Sequence, residues 1–154
     1  MLKYLETLVT FLEVPNELSL CINITNCPCH CKGCSEPWLA DDIGEPLTIE
    51  AIGKIMKLPN YLTCICFMGG DNDYDSLAEL CQQIKTFYPH LKIAFYSGRE
   101  QMNEKVAALI DYYKVGPWIE SFGPLNKPTT NQKMLQKING SWVDITYKFQ
   151  KERE

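Results

Sequence analysis

Several features that mark common classes of protein are missing from this 154-residue sequence. It has no lysine- or arginine-rich block, and its formal net charge is −4, which disfavours a nucleic-acid-binding surface. No apolar run approaches the ~20 residues that a membrane-spanning helix needs. The first residues do not combine a basic segment with an apolar core, which disfavours a secretory signal. We therefore expect a cytoplasmic protein without a nucleic-acid partner or a membrane partner.

The sequence also lacks internal repeats and low-complexity segments, and one domain covering residues 1–154 is expected. Its length allows a substantial core. With 45% hydrophobic and 22% charged residues, it has an ordinary globular composition. The eight cysteines, in a chain expected in the cytoplasm, indicate metal or redox chemistry rather than disulfides.

Half of the cysteines lie in the segment Cys27–Cys34, which reads CPCHCKGC. Cys27, Cys31 and Cys34 have the spacing C-x3-C-x2-C, and Cys29 lies in the first gap. Zinc sites commonly take two separated cysteine pairs, and no second pair of that kind follows. Three thiolates can instead hold three irons of a four-iron cluster and leave the fourth open. The pattern favours such a cluster over a zinc-binding or disulfide loop.

Alternating or continuous apolar residues predict three strands that are each followed by a candidate functional turn. Leu18–Thr25 alternates cleanly and leads into the cysteine segment. Thr63–Met68 is a short apolar run that ends at Gly69–Asp71. Ile93–Tyr96 is followed by Ser97–Arg99. Each turn therefore begins where a predicted strand ends.

Helical spacing predicts three helices that follow or separate these strands. Thr48 is expected to cap a helix that ends at Leu58–Asn60. Tyr74–Tyr88 carries apolar residues at helical spacing, among them Phe87. A third helix is expected to follow Ser97–Arg99 directly. Its apolar face consists of Met102, Val106, Leu109 and Ile110.

The remaining segments predict the borders of the sheet. Leu5–Val14 has a β-prone composition, Tyr112–Val115 is a short strand, and Trp142–Phe149 alternates as a terminal strand. Lys127–Lys137 is mostly polar and is assigned no element, and Lys148–Glu154 is a charged tail. Strands that alternate with helices predict an α/β fold with a mostly parallel sheet.

The three turns are expected to form one site, because ligands of open α/β sheets collect at the carboxyl ends of the strands. Asp71 either contacts a bound ligand there or caps the helix that follows. Cys64 and Cys66 share one face of their strand. They are expected to be core thiols rather than a second metal site.

Four segments together resemble a known family. They are the cysteine motif ending in Lys32–Cys34, Gly69–Asp71, Tyr96–Gly98 and Thr129–Gln132, in this order across roughly residues 18 to 133. The chain resembles the radical S-adenosylmethionine superfamily and, within it, the small activating proteins of anaerobic ribonucleoside-triphosphate reductase. The resemblance implies a shortened, open version of the superfamily's (β/α) barrel, since a full barrel takes ~250 residues.

The resemblance also implies cofactors and their contacts. Cys27, Cys31 and Cys34 would hold one [4Fe–4S] cluster, and S-adenosylmethionine would chelate the open iron. Reductive cleavage would give a 5′-deoxyadenosyl radical that takes hydrogen from a glycine of the partner. No catalytic side chain is implied beyond the cluster. The implied cofactor contacts are Gly33, Cys34, Ser35, Gly69, Gly70, Asp71, Tyr96, Ser97 and Gly98.

The implied partners are the large subunit of the anaerobic reductase and an electron donor such as flavodoxin or ferredoxin. Two alternatives within enzymes are activation of another glycyl-radical enzyme and a different small radical S-adenosylmethionine activity. An alternative of another class is a non-enzymatic zinc or iron–sulfur module that transfers electrons or binds a partner.

Overall fold

The structure, a computed structural model, describes residues 1–56 and 61–150 of the chain. The strands are β1 (Lys3–Thr10), β2 (Ser19–Ile24), β3 (Glu45–Pro46), β4 (Cys64–Met68), β5 (Lys92–Tyr96), β6 (Tyr112–Val115), β7 (Lys133–Ile138) and β8 (Ser141–Asp144). The helices are α1 (Ile49–Ile55), α2 (Tyr74–Phe87) and α3 (Glu104–Ala107), with 3-10 turns at Pro37–Ala40 and Thr146–Phe149. The predicted helix end at Leu58–Asn60 and the tail beyond residue 150 lie outside the described residues.

All eight strands of the described residues belong to one sheet, in the order β3-β1-β2-β4-β5-β6-β7-β8. The four central strands β2, β4, β5 and β6 are parallel, and the three connections that join them each contain a helix. The prediction of a mostly parallel sheet is wrong, because four of the seven pairings are antiparallel. Short connections without a helix join β1 to β2 and β7 to β8, and such connections permit only antiparallel pairing. The fold is therefore mixed α/β.

The sheet has two unlike faces, because successive residues of a strand point to opposite sides. The helix-covered face packs against α1, α2 and α3, and its fully buried members include Ile22, Ile24, Ile65, Phe67, Ile93, Phe95 and Tyr113. The other face, here called the cysteine face, carries Cys21, Cys64, Cys66, Ala94 and Tyr112. The prediction that Cys64 and Cys66 are core thiols is confirmed, since both are buried, and Cys21 is buried beside them.

The ends of the helices differ in part from the predictions. Thr48 caps α1 as predicted, because its hydroxyl accepts a hydrogen bond from the Ala51 amide at 3.1 Å. Helix α2 is capped by Asp73, whose carboxylate accepts from the Ser76 amide at 3.1 Å. Asp71 is therefore not the helix cap. Phe87 is 64% exposed rather than part of the apolar face, because it is the last residue of the helix.

Helix α3 is shorter than predicted. It begins after Asn103, whose side chain accepts a hydrogen bond from the Val106 amide at 3.1 Å. The segment 97–103 is therefore a loop. None of the helices in the described residues is both long enough and apolar enough to pass through a lipid bilayer.

The borders of the sheet also differ from the predictions. The first strand is Lys3–Thr10 rather than Leu5–Val14. The segment 127–137, for which the sequence predicts no element, includes all of β7 except Ile138, and β7 pairs with β6. Strand β8 ends at Asp144, because the chain then turns into the 3-10 turn. At the opposite border, β3 is only two residues long and contains Pro46.

Candidate functional site

A cavity of about 360 Å³ lies at the carboxyl ends of the parallel strands. The structure brings the three predicted turns together there. Of the predicted site residues, Cys27, Cys31, Cys34, Gly69, Asp71, Tyr96, Ser97 and Gly98 line it. Cys29 and His30 line it as well, and residues of the 3-10 turn form a further wall. The sheet topology thus accounts for the convergence of segments that are far apart in sequence.

Three predicted site residues are not in the cavity wall. Ser35 is exposed, and Gly33 is exposed and lies against the loop that carries Glu120. Gly70 is buried with a φ of +124°, and a Cβ there would lie 3.2 Å from Leu77 and 3.6 Å from Phe95. Its backbone therefore faces the helix-covered core, and glycine is required by the turn rather than by a neighbouring cavity.

Asp71 ties the second turn to the third. Its Oδ1 accepts hydrogen bonds from the Tyr74 hydroxyl at 2.8 Å and the Ser97 hydroxyl at 2.7 Å. Its Oδ2 accepts from the Gly98 amide at 2.8 Å. Hydrogen bonds to a carboxylate are stronger than those between neutral groups. Burial, and then the Asp71 carboxylate, raise the pKa of Tyr74, so its phenol stays a donor at neutral pH.

Cys29 connects the cysteine segment to the other two turns. Its thiol donates to Asp71 Oδ2 over a sulfur–oxygen distance of 3.8 Å. A Cβ at Gly98 would lie only 2.6 Å from Cys29 Sγ, so this contact needs glycine at position 98. Burial raises the pKa of Cys29 to about 12, with Cys27 and Asp71 adding to the effect. The Cys29 side chain is thus a protonated thiol that packs within the site.

Cys27, Cys31 and Cys34 are free thiols that are neither fully buried nor fully exposed. The backbone holds their segment at both ends. The Cys27 amide donates to the Leu39 carbonyl at 2.9 Å, and the Cys34 amide donates to the Cys31 carbonyl at 3.2 Å. His30, between them, adopts a φ of +46° in the left-handed region. The described residues contain no group of three His, Cys, Asp or Glu side chains placed to hold a single metal ion.

Met68, Lys114 and Trp118 also line the cavity, although the sequence did not identify them as site residues. Met68 pairs with Tyr96 and Tyr96 with Lys114 in the parallel register, so the three form one row across the sheet. A lysine within the otherwise apolar strand Tyr112–Val115 was the signal that could have found this row. Lysine is almost never fully buried unless it is paired, so a lysine at a core position indicates a partner nearby.

Lys114 is the buried cation of this row. It is 7% exposed, and its Nζ donates to the Gly116 carbonyl at 2.9 Å. Burial lowers its pKa to about 8, whereas Asp71 and the cysteines of the segment favour the charged form. The ammonium also lies 5.7 Å from the centroid of the Tyr96 ring. The cavity therefore carries a positive charge next to several thiols.

A second and wider cavity, of about 950 Å³, adjoins the first. Tyr96 and Gln132 line both cavities, so they form the shared wall. The outer cavity is bordered by the turn between β1 and β2, where Phe11 is 72% and Leu12 is 77% exposed. It thus connects the candidate site to an apolar surface.

Comparison with known proteins gives one match. The family described as "4Fe-4S single cluster domain" matches residues 18–141, which is most of the chain. The matched region begins just before β2 and includes every residue that lines the first cavity. No curated protein and no solved structure matches the chain.

Proposed function

This chain belongs to the 4Fe-4S single cluster domain family, and from that premise we propose that it is a radical S-adenosylmethionine activating enzyme. It cleaves S-adenosylmethionine at its cluster and generates a glycyl radical on anaerobic ribonucleoside-triphosphate reductase. The observation that carries this proposal is the cavity in which the cysteine segment meets the turns after β4 and β5. The order of the four sequence segments supports the choice of partner.

The side chains of the cavity fit an iron–sulfur cluster. Cys27, Cys31 and Cys34 line it together, and thiolates are the usual ligands of such clusters. A cluster with several irons takes its thiolates from positions farther apart than the ligands of a single ion. The three cysteines can therefore bind it although they do not converge on one point. Cys29 is not assigned as a ligand, since Asp71 and Gly98 already occupy its surroundings.

The sheet supports the proposed superfamily. Strands β2, β4, β5 and β6 are parallel and carry their helices on one face, as successive units of a (β/α) barrel do. The antiparallel borders leave this parallel part open. We therefore propose that the fold is a shortened and open version of the radical S-adenosylmethionine barrel.

The residues around the cysteine segment are proposed to bind S-adenosylmethionine. Gly69 and the segment Tyr96–Gly98 line the cavity, and the absence of a side chain at Gly69 allows a ligand to approach closely. Both Asp71 oxygens already accept hydrogen bonds, so we assign Asp71 the task of holding these turns in place. Tyr96 separates the proposed cofactor from the outer cavity.

When bound, the cluster and S-adenosylmethionine supply one-electron reductive cleavage of the sulfonium, and the resulting radical removes a hydrogen atom from a glycine. The electron comes from a donor such as flavodoxin or ferredoxin. A glycine within a large partner has to reach the cavity as part of a polypeptide segment. The outer cavity and its exposed Phe11 and Leu12 offer room for such a segment.

The test of this proposal is anaerobic reconstitution of the protein with iron and sulfide. We expect a [4Fe–4S] spectrum that changes on addition of S-adenosylmethionine, and 5′-deoxyadenosine after reduction. Cys31→Ala should lose the cluster, whereas the matched variant Cys29→Ala should keep it. Equal loss of iron from both variants would contradict the ligand assignment.

The choice of partner is tested separately. After reduction by an external reductant in the presence of S-adenosylmethionine, the protein should produce a glycyl-radical signal on the anaerobic reductase and none on a reductase whose radical glycine is alanine. A signal that appears only on another glycyl-radical enzyme would contradict the proposed partner but would still support the proposed radical chemistry. A stable cluster that ignores S-adenosylmethionine would identify an electron-transfer module instead, and bound zinc would exclude both.

A further inference from the structure

Lys114 has no counter-ion among the residues that the structure describes. The ion pairs within those residues involve other cations, and none includes Lys114. Its one hydrogen bond within the same residues goes to the neutral carbonyl of Gly116. An ammonium group has three donors, so donors remain for another acceptor. Because Lys114 is only 7% exposed, water cannot fully take the place of a counter-ion.

The surroundings of Lys114 indicate where the missing negative charge belongs. The side chain lines the same cavity as Cys27, Cys31 and Cys34. Of the groups that favour its charged form, Asp71 comes first, and Cys31, Cys29 and Cys27 follow. Asp71 is engaged by its own donors on the neighbouring turn. Among the protein groups that act on Lys114, thiolates that bind a cluster are therefore the remaining source of negative charge.

We propose that Lys114 is the buried counter-charge of the cysteine-bound cluster and that it raises the reduction potential of that cluster. Lys114 acts on the cluster through its charge and does not bind an iron atom. This assignment rests on the proposed cluster at the three cysteines, but not on cleavage of S-adenosylmethionine or on the identity of the partner.

The physical reason is the change in charge on reduction. The cluster accepts one electron from an external reductant, no bond forms or breaks, and the negative charge of the site grows by one. A nearby buried cation stabilises the reduced form more than the oxidised form, because charges interact strongly where water is excluded. Net charge and solvent exposure are recognised determinants of the potential of such clusters.

The experiment is a redox titration of the reconstituted protein, followed by the electron paramagnetic resonance signal of the reduced cluster. Lys114→Met removes the charge and keeps an unbranched chain of similar length. We expect a more negative midpoint potential, equivalent to about a tenfold smaller equilibrium constant for reduction, or ~59 mV for one electron. Lys114→Arg keeps the positive charge and should have the same midpoint potential as the wild type.

The matched control is Lys133→Met. Lys133 begins β7, next to the partner of Lys114 in the register, but its side chain is exposed. Its removal should leave the potential unchanged. Lys114→Gln gives a second neutral variant in case the methionine variant folds poorly, and circular dichroism and iron content are measured for each.

Each outcome decides the matter. Loss of iron from both neutral variants but not from Lys114→Arg would support the counter-charge as a requirement for assembly. Loss of iron from all three variants would show a packing role and overturn the proposal, as would an unchanged potential in Lys114→Met. A wild-type protein that binds no cluster would overturn the proposed function together with this inference. An unchanged potential alongside normal 5′-deoxyadenosine formation would overturn this inference alone.

Discussion

The two faces of the central sheet come from the same strands but differ in chemistry. In three adjacent strands the helix-covered positions are Phe67, Phe95 and Tyr113, whereas the positions directly before them are Cys66, Ala94 and Tyr112. The rings of Phe95 and Tyr113 lie 5.1 Å apart, which is a favourable separation for aromatic pairs. The helix-covered face is therefore filled by large apolar groups.

The cysteine face buries smaller and more polar groups. The hydroxyl of Tyr112 donates to the buried carboxylate of Glu17 at 2.7 Å, and Lys114 lies on the same face of the same strand. Polar groups of this kind are costly to bury and contribute less to stability than apolar packing. Stability and function are therefore divided between the two faces. The helix-covered face stabilises the sheet, and the cysteine face leads to the cavity.

The largest expected effect compares neighbouring residues on the two faces. Phe67 and Cys66 are both 0% exposed. Phe67→Ala should lower the free energy of unfolding of the metal-free protein by ~3–5 kcal/mol, because it leaves a large cavity. Cys66→Ala removes a single sulfur atom and should cost clearly less. Denaturant unfolding monitored by circular dichroism measures both, and equal losses would refute the division between the faces.

The second effect concerns the charge on the cysteine face. The pKa of Lys114 falls from 10.5 to about 8 in the folded protein, so between these pH values the unfolded chain binds more protons than the folded one. The stability contributed by this group therefore rises with pH across that interval, by ~3 kcal/mol in total. Below pH 8 the buried charge destabilises the metal-free protein.

The measurement compares metal-free wild type with Lys114→Met by denaturant unfolding at pH 7 and at pH 10. Wild type should gain stability relative to the variant as the pH rises. A difference that does not depend on pH would show that the ammonium of Lys114 reaches water in the folded protein.

The smallest effect is expected where the two faces meet. Asp71 links Tyr74, which packs against the helix-covered core, to Ser97 and Gly98 at the cavity. Asp71→Asn removes the charge from these hydrogen bonds and should cost ~1.5–3 kcal/mol. Tyr74→Phe, as the control, removes only one of the three bonds and should cost less than Asp71→Asn. If thermal unfolding shows the same loss of stability for Asp71→Asn and Tyr74→Phe, Asp71 does not hold the turns after β4 and β5 together.

The sequence predicted the central strands well, because their apolar pattern is set by burial on both faces. Strands β2, β4 and β5 lie within one residue of the predicted Leu18–Thr25, Thr63–Met68 and Ile93–Tyr96. The turns after them could be placed for the same reason. Their meeting in one cavity follows from parallel pairing, which the helical connections indicated.

The features that the sequence did not reveal depend on contacts between distant residues. Strand β7 is mostly half-buried, and its three apolar residues do not alternate with the polar ones, so pairing with β6 stabilises it rather than any pattern of its own. Asp71 and Asp73 are both suitable helix caps, and the contact of Asp71 with the distant Ser97 and Gly98 is not visible in the sequence. Lys114 escaped notice because a lysine is exposed by default. The roles proposed for the cysteines and for the cofactor contacts remain predictions.

The two-residue strand β3 has a consequence for how molecules of this protein meet one another. A sheet that does not close leaves edges on which another chain can form a ladder and start an aggregate. At the β3 edge, Pro46 has no amide hydrogen to give, and Glu45 places an exposed negative charge beside it. An approaching strand could form almost no backbone hydrogen bonds with β3, so this edge of the open sheet is protected against assembly into fibrils.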